Sequence, residues 1–145
     1  MLDEETRKAI IMEHYQNPIN RNIIEDNNYI KVNSNSETCI DNIDLYILFE
    51  DDKIKDLHFH GEACAISTAA SSIMIKLLIG KTIPEVRELI KNYYNMVNEK
   101  EYNREILEEA NCYEDIYKQK NRIGCATIPW KGIEKALDKY ENENK

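Results

Sequence analysis

In IDLYILFE, residues 43–50, apolar side chains recur at Ile43, Leu45, Ile47 and Phe49, and this period of two predicts a strand with one buried face. The polar run EDDK, 50–53, reads as a tight turn into IKDLHFH, 54–60, where Leu57 and Phe59 share a face. With the shorter candidate YIKVN, 29–33, three antiparallel strands are predicted. From Ala65 the period becomes helical: Ile66, Ala69, Ala70, Ile73, Met74 and Leu77 form one largely buried helix, which Gly80 stops. Thr82 and Glu85 fit a capping box with Pro84 in the first turn, and Val86, Leu89, Ile90, Tyr93 and Val97 continue as a stripe. A helix is also expected from Asp3 to about Gln16, closed by Pro18, another over about 101–110, and a last one carrying Trp130, Ile133, Leu137 and Tyr140. The segment 111–122 is polar and gives no clear period. The expected fold class is α+β, a three-stranded antiparallel sheet packed against four to five helices. Without a repeat, a low-complexity tract or a dividing linker, residues 1–145 are expected to form one domain.

Charge narrows the choice of partner. With 27 acidic against 19 basic residues the formal net charge is -8, and nucleic-acid binding would need a basic face instead. No run approaches the roughly 18 apolar residues of a membrane span, and MLDEETRKAI is charged where a signal peptide would be apolar. A cytoplasmic protein with no membrane partner is expected. In a reducing compartment the four cysteines are expected to be thiols, metal ligands or reactive groups rather than disulfides.

Candidate chemistry lies in TCID (38–41), GEACAIS (61–67), Cys112 and RIGCATIPW (122–130). Cys39 and Asp41 precede the second strand, Cys64 stands where strand becomes helix, and Cys125 is expected at the mouth of the last helix. Two thiols would then face helix N-termini, where N–H groups and the helix dipole favour negative charge. Three thiolates and a carboxylate can complete a tetrahedral zinc site or grip an iron–sulfur cluster. No CxxC pair is present, and the intervals of 25 and 61 residues require tertiary structure to assemble such a site. Taken singly, Cys64 and Cys125 read equally well as small core residues, and Asp41 as a solvent-facing loop charge contributing little to packing. Ser67, Thr68, Ser71 and Ser72 read as small helix-packing residues, His14 as packing near the Pro18 turn, and His58 and His60 as solvent-facing.

Several motifs, taken in order, extend over nearly the whole chain. IIMEHYQNPINR (10–21), TCID, FHGEACAISTAASSIM (59–74) and GCATIPWKGIEKAL (124–137) together resemble the U-type iron–sulfur cluster assembly proteins, the family of IscU, SufU and the NifU N-terminal domain. In the IscU branch a histidine precedes the third cysteine, whereas Gly124 stands there in this chain. The long interval from Cys64 to Cys125 also resembles the SufU branch, and the family's glycine between Cys and Asp is Ile40 here. The resemblance implies zinc bound by Cys39, Asp41, Cys64 and Cys125, and transfer of persulfide sulfur from a cysteine desulfurase of the SufS type towards downstream iron–sulfur assembly proteins. Such activity would make the chain a zinc-dependent sulfurtransferase. Cys39 is the expected sulfur acceptor, because it shares a loop with the carboxylate. Two alternatives stand beside this reading: a scaffold with Cys39, Cys64 and Cys125 holding a [2Fe–2S] cluster or iron, and an interaction module whose zinc only stabilises the fold. Cys112, in EEANCYED, is covered by no motif and is expected to be dispensable.

Overall fold

The computed structural model describes residues 2–36 and 40–144. Helix α1 (Glu4–Gln16) starts at Asp3, whose carboxylate accepts from the Thr6 N–H, and ends before Pro18. Strands β1 (Ile30–Asn35), β2 (Asn42–Glu50) and β3 (Lys53–Glu62) form an antiparallel sheet in sequence order. The β2–β3 turn places Asp51 and Asp52 at φ 55° and 58°, a left-handed pair that aspartate tolerates and a two-residue hairpin requires. Residues of period two, Ile43, Leu45 and Ile47 with Leu57 and Phe59, fill the buried face of the sheet.

Helix α2 (Ala65–Leu78) packs against α1 and against α5 (Lys120–Glu143), and α5 lies on β1 and β2. The approach of α5 to the sheet is close at Gly132: a Cβ there would stand 2.5 Å from Leu45 Cδ1, so the buried Leu45 side chain would have to shift. Helix α3 (Ile83–Val97) begins with the Thr82–Glu85 capping box and sends Tyr93 inward to stack on Trp130, ring centroids 4.2 Å apart. Burial of these large side chains supplies the main favourable term of the fold. Among the described residues, no helix is long and apolar enough to cross a membrane.

Two expectations are corrected. The helix predicted over 101–110 is only the short α4 (Arg104–Leu107), because Glu108 takes φ 45° and the chain continues as 3-10 helices over Glu108–Tyr113 and Ile116–Lys118. This segment, polar in composition, is nonetheless buried at Asn111, Cys112, Tyr113 and Glu114. Most of its buried polar groups are paired: Glu114 meets Arg7 and Arg104, and the Asn111 amide nitrogen donates to the carbonyls of Arg104 and Glu108, while Asn111 Oδ1 has no hydrogen-bond partner among the described residues. The last helix also starts earlier than expected, at Lys120, which sets Cys125 within α5 rather than at its mouth.

Candidate metal centre

Strand register builds the first half of the site. Asn42 pairs with Glu62 across β2 and β3, so one residue further along each strand the chain brings Asp41 beside Ala63 and Cys64. At that end Gly61 takes φ 134°, and a Cβ there would stand 2.3 Å from the Asn42 carbonyl oxygen, so a side chain would force the two strands apart. Asp41 turns inward and is 1% exposed, while its neighbour Ile40 is 78% exposed. The solvent-facing reading of Asp41 is thereby corrected. Oδ1 accepts from the Cys64 N–H at 2.6 Å, and Oδ2 accepts from the Ser67 hydroxyl at 2.6 Å.

Cys64 is the N-cap of α2, as the strand-to-helix reading expected, and its sulfur accepts from the Ser67 N–H at 3.4 Å. It is half-buried and lies 3.5 Å from Asp41 Oδ2. Positive potential at the start of α2 favours negative charge on both groups. Cys125 comes from α5 and is fully buried. Because it is the sixth residue of that helix, it has no share in the unsatisfied N–H groups of a helix start, and the expectation that it faces an N-terminus does not hold. The donor atoms of Asp41, Cys64 and Cys125 nevertheless lie within 4.8 Å of one another. Ligands on a tetrahedral zinc ion with Zn–S bonds of ~2.3 Å stand roughly 3.8 Å apart, so this cradle fits an ion after shifts of about 1 Å. Cys39 lies outside the described residues; the flanking residues Ser36 and Asp41 are held together by a hydrogen bond from the Ser36 N–H to the Asp41 carbonyl, 3.4 Å.

The remaining candidates lie elsewhere. Cys112 is 3% exposed, and burial, with the charge of Glu109 second, pushes its thiol far up, so it is held as the neutral thiol. The acids beside it in sequence are the lesser cause. His14 is buried between α1 and α2, with Nδ1 2.7 Å from Ser72 Oγ and Nε2 3.3 Å from Glu109. His60 is exposed as expected, but His58 is half-buried and bonded to Asp56 and Asn22. Ser67 is the group that sequence reasoning passed over. Its hydroxyl also lies 3.0 Å from the Cys125 carbonyl, joining α2 to α5 across the site. The available signal was its place three residues after an N-cap cysteine.

Two thiols and a buried carboxylate converging from a strand end, a helix start and a second helix define a small α+β protein whose reactive groups meet at one point. The chain belongs to the NifU-like N-terminal domain family, the U-type iron–sulfur cluster assembly proteins, whose profile matches residues 6–145. It is similar to the zinc-dependent sulfurtransferase SufU of Bacillus subtilis, with 36% identity over 94% of this chain and 92% of that one. It is also similar to the iron–sulfur cluster assembly scaffold protein IscU of Streptococcus pyogenes, with 32% identity over 92% of this chain and 84% of that one. Among solved structures, a scaffold protein for the SUF system from Fervidobacterium islandicum superposes with a TM-score of 0.83 at 33% identity, covering 92% of this chain and 97% of that one.

Proposed function

We propose that this chain is a SufU-like carrier that accepts persulfide sulfur from a cysteine desulfurase of the SufS type and passes it to downstream iron–sulfur assembly proteins in the cytoplasm. The observation that carries the reading is the convergence of Asp41, Cys64 and Cys125 within 4.8 Å. We assign these three, with Cys39, as ligands of a zinc ion. The donor set of sulfur and oxygen without imidazole suits zinc, and Gly124 supplies no side-chain ligand beside Cys125. Similarity to the B. subtilis sulfurtransferase supports the same assignment. When bound, zinc would keep the cysteines deprotonated and shield them from oxidation.

Within this site the residues take different roles. Cys64 and Cys125 are carried by packed helices and hold position. Asp41 offers the harder and more readily exchanged donor, so its departure opens the site at least cost. Cys39 is the acceptor: its thiolate attacks the outer sulfur of the desulfurase persulfide, a new S–S bond forms, and the old one breaks with its electron pair leaving on the desulfurase cysteine. The exchange is redox-neutral and needs no further reactant.

Metal analysis of purified protein by plasma mass spectrometry is expected to give about one zinc per chain with little iron. Desulfurase turnover is expected to rise on addition of the chain, with a persulfide mapped by mass spectrometry to Cys39. A persulfide on another cysteine would overturn the acceptor assignment. Iron with acid-labile sulfide after anaerobic purification would instead favour the scaffold reading, which similarity to IscU supports. Complete unfolding on chelation would mark the ion as a stabiliser of the fold alone.

A further inference from the structure

Ser67 is fully buried, carries one hydroxyl proton, and has three acceptors in reach: Asp41 Oδ2 at 2.6 Å, the Cys125 carbonyl at 3.0 Å and Cys64 Sγ at 3.4 Å. A serine hydroxyl donates to one acceptor at a time. The Asp41 oxygen is the nearest of the three, at 2.6 Å against 3.0 Å for the next, so in the metal-free chain the proton goes to Asp41. The Cys125 carbonyl is a second seat for the same proton.

Ser71, one turn further along α2 and equally buried, shows what a merely packed serine does. Its hydroxyl donates back to the carbonyl of its own helix at Ser67, 2.8 Å away. Ser67 instead sends its hydroxyl out of the helix to two other elements that carry candidate ligands.

We infer that Ser67 is the positioning residue of the site: its hydroxyl holds the Asp41 carboxylate against the start of α2 and beside the two sulfurs, and keeps that bond when the carboxylate meets an ion. The inference rests on the assignment of Asp41 as a ligand. The two short bonds to Asp41 come from the Cys64 N–H and the Ser67 hydroxyl, with the Cys64 sulfur at 3.5 Å, and removing the hydroxyl lets the carboxylate rotate away from the two sulfurs.

The test is a set of zinc affinities, measured on reduced full-length protein by competition with a chromophoric chelator, for the parent, Ser67→Ala, Ser71→Ala, Asp41→Ala and the Ser67→Ala/Asp41→Ala double variant. Ser67→Ala is expected to weaken zinc binding ~10–100-fold, the usual cost of removing a hydrogen-bond partner of a ligand. Ser71→Ala is expected to bind like the parent. In the Asp41→Ala background the further loss of Ser67 is expected to change little, because its effect passes through the carboxylate. Cobalt-substituted Ser67→Ala is expected to shift its visible bands towards those of Asp41→Ala. Equal losses from Ser67→Ala with and without Asp41, or equal losses in Ser67→Ala and Ser71→Ala, would overturn the inference. Failure of the parent to bind zinc would sink the metal assignment instead. The Ser67–Asp41 bond is then decided by urea unfolding of the metal-free variants, where Ser67→Ala must destabilise the chain only when Asp41 is present.

Discussion

Asp41→Ala in the metal-free chain tests whether the carboxylate belongs to the architecture as well as to the chemistry. The structure gives it two charge-assisted hydrogen bonds of 2.6 Å, from the Cys64 N–H and the Ser67 hydroxyl. Hydrogen bonds to charged groups contribute about 1.5–3 kcal/mol each, and a carboxylate in a partly buried place at a helix start adds up to ~2 kcal/mol. Against these stands the cost of burying the charge, on the order of several kcal/mol, which the alanine removes. The balance leaves a net loss of about 2 kcal/mol, because truncation removes both bonds and strands the Cys64 N–H, while the Ser67 hydroxyl keeps only the more distant Cys125 carbonyl and Cys64 sulfur. For a domain of this size the melting temperature should fall by about 4–8 °C. Asp41→Asn retains an acceptor for the Cys64 N–H while Ser67 turns to the Cys125 carbonyl, so it should lose about half as much. The assay is urea unfolding with chelator and reductant, read as a lower midpoint at unchanged slope. Zinc affinity is expected to weaken in the same variant. An Asp41→Ala chain as stable as the parent, or more stable, would show that the burial cost outweighs the two bonds and would refute the reasoning.

Cys112→Ala should keep the zinc content and the desulfurase stimulation of the parent, since the thiol is buried away from the site, and should cost only about 1 kcal/mol of packing. Loss of zinc in that variant would show the ligand choice to be wrong. Glu109 supplies a pH dependence. Burial raises its carboxyl, but hydrogen bonds from Lys76 and His14 outweigh that and hold it below the ordinary 4.5. A carboxyl lowered in the folded state stabilises the chain above its unfolded value, and this contribution is lost as pH falls through the folded one. The stability difference between parent and Glu109→Gln, well under about 1 kcal/mol after solvent screening, should therefore be present at pH 7 and close below pH 4.5, followed by urea midpoints across that range. A difference that grows as the pH falls would reverse the sign of this argument.

Local pattern was enough for local structure. The alternation of Ile43, Leu45 and Ile47 marks β2, and the Thr82–Glu85 box marks the start of α3, because a period of two or a capping residue constrains the backbone within a few residues of itself. Cys64 at a helix start was legible for the same reason. The polar stretch before Cys125 was not, since Lys120–Gly124 offers no apolar face and only packing of the later Trp130, Ile133 and Leu137 commits it to α5. Nor was burial at 111–114 legible, because Glu114 is neutralised by Arg7 from α1, over a hundred residues away in the chain. The site belongs to this second kind. Nothing within TCID says that Asp41 turns inward; the register of Asn42 against Glu62 does, by bringing it to the start of α2, where an N–H and a hydroxyl await a carboxylate. Ser67 likewise acquires its part only when α2 meets β2 and α5, since a hydroxyl takes its role from the acceptors around it, and here those acceptors arrive from 26 residues before it and 58 after.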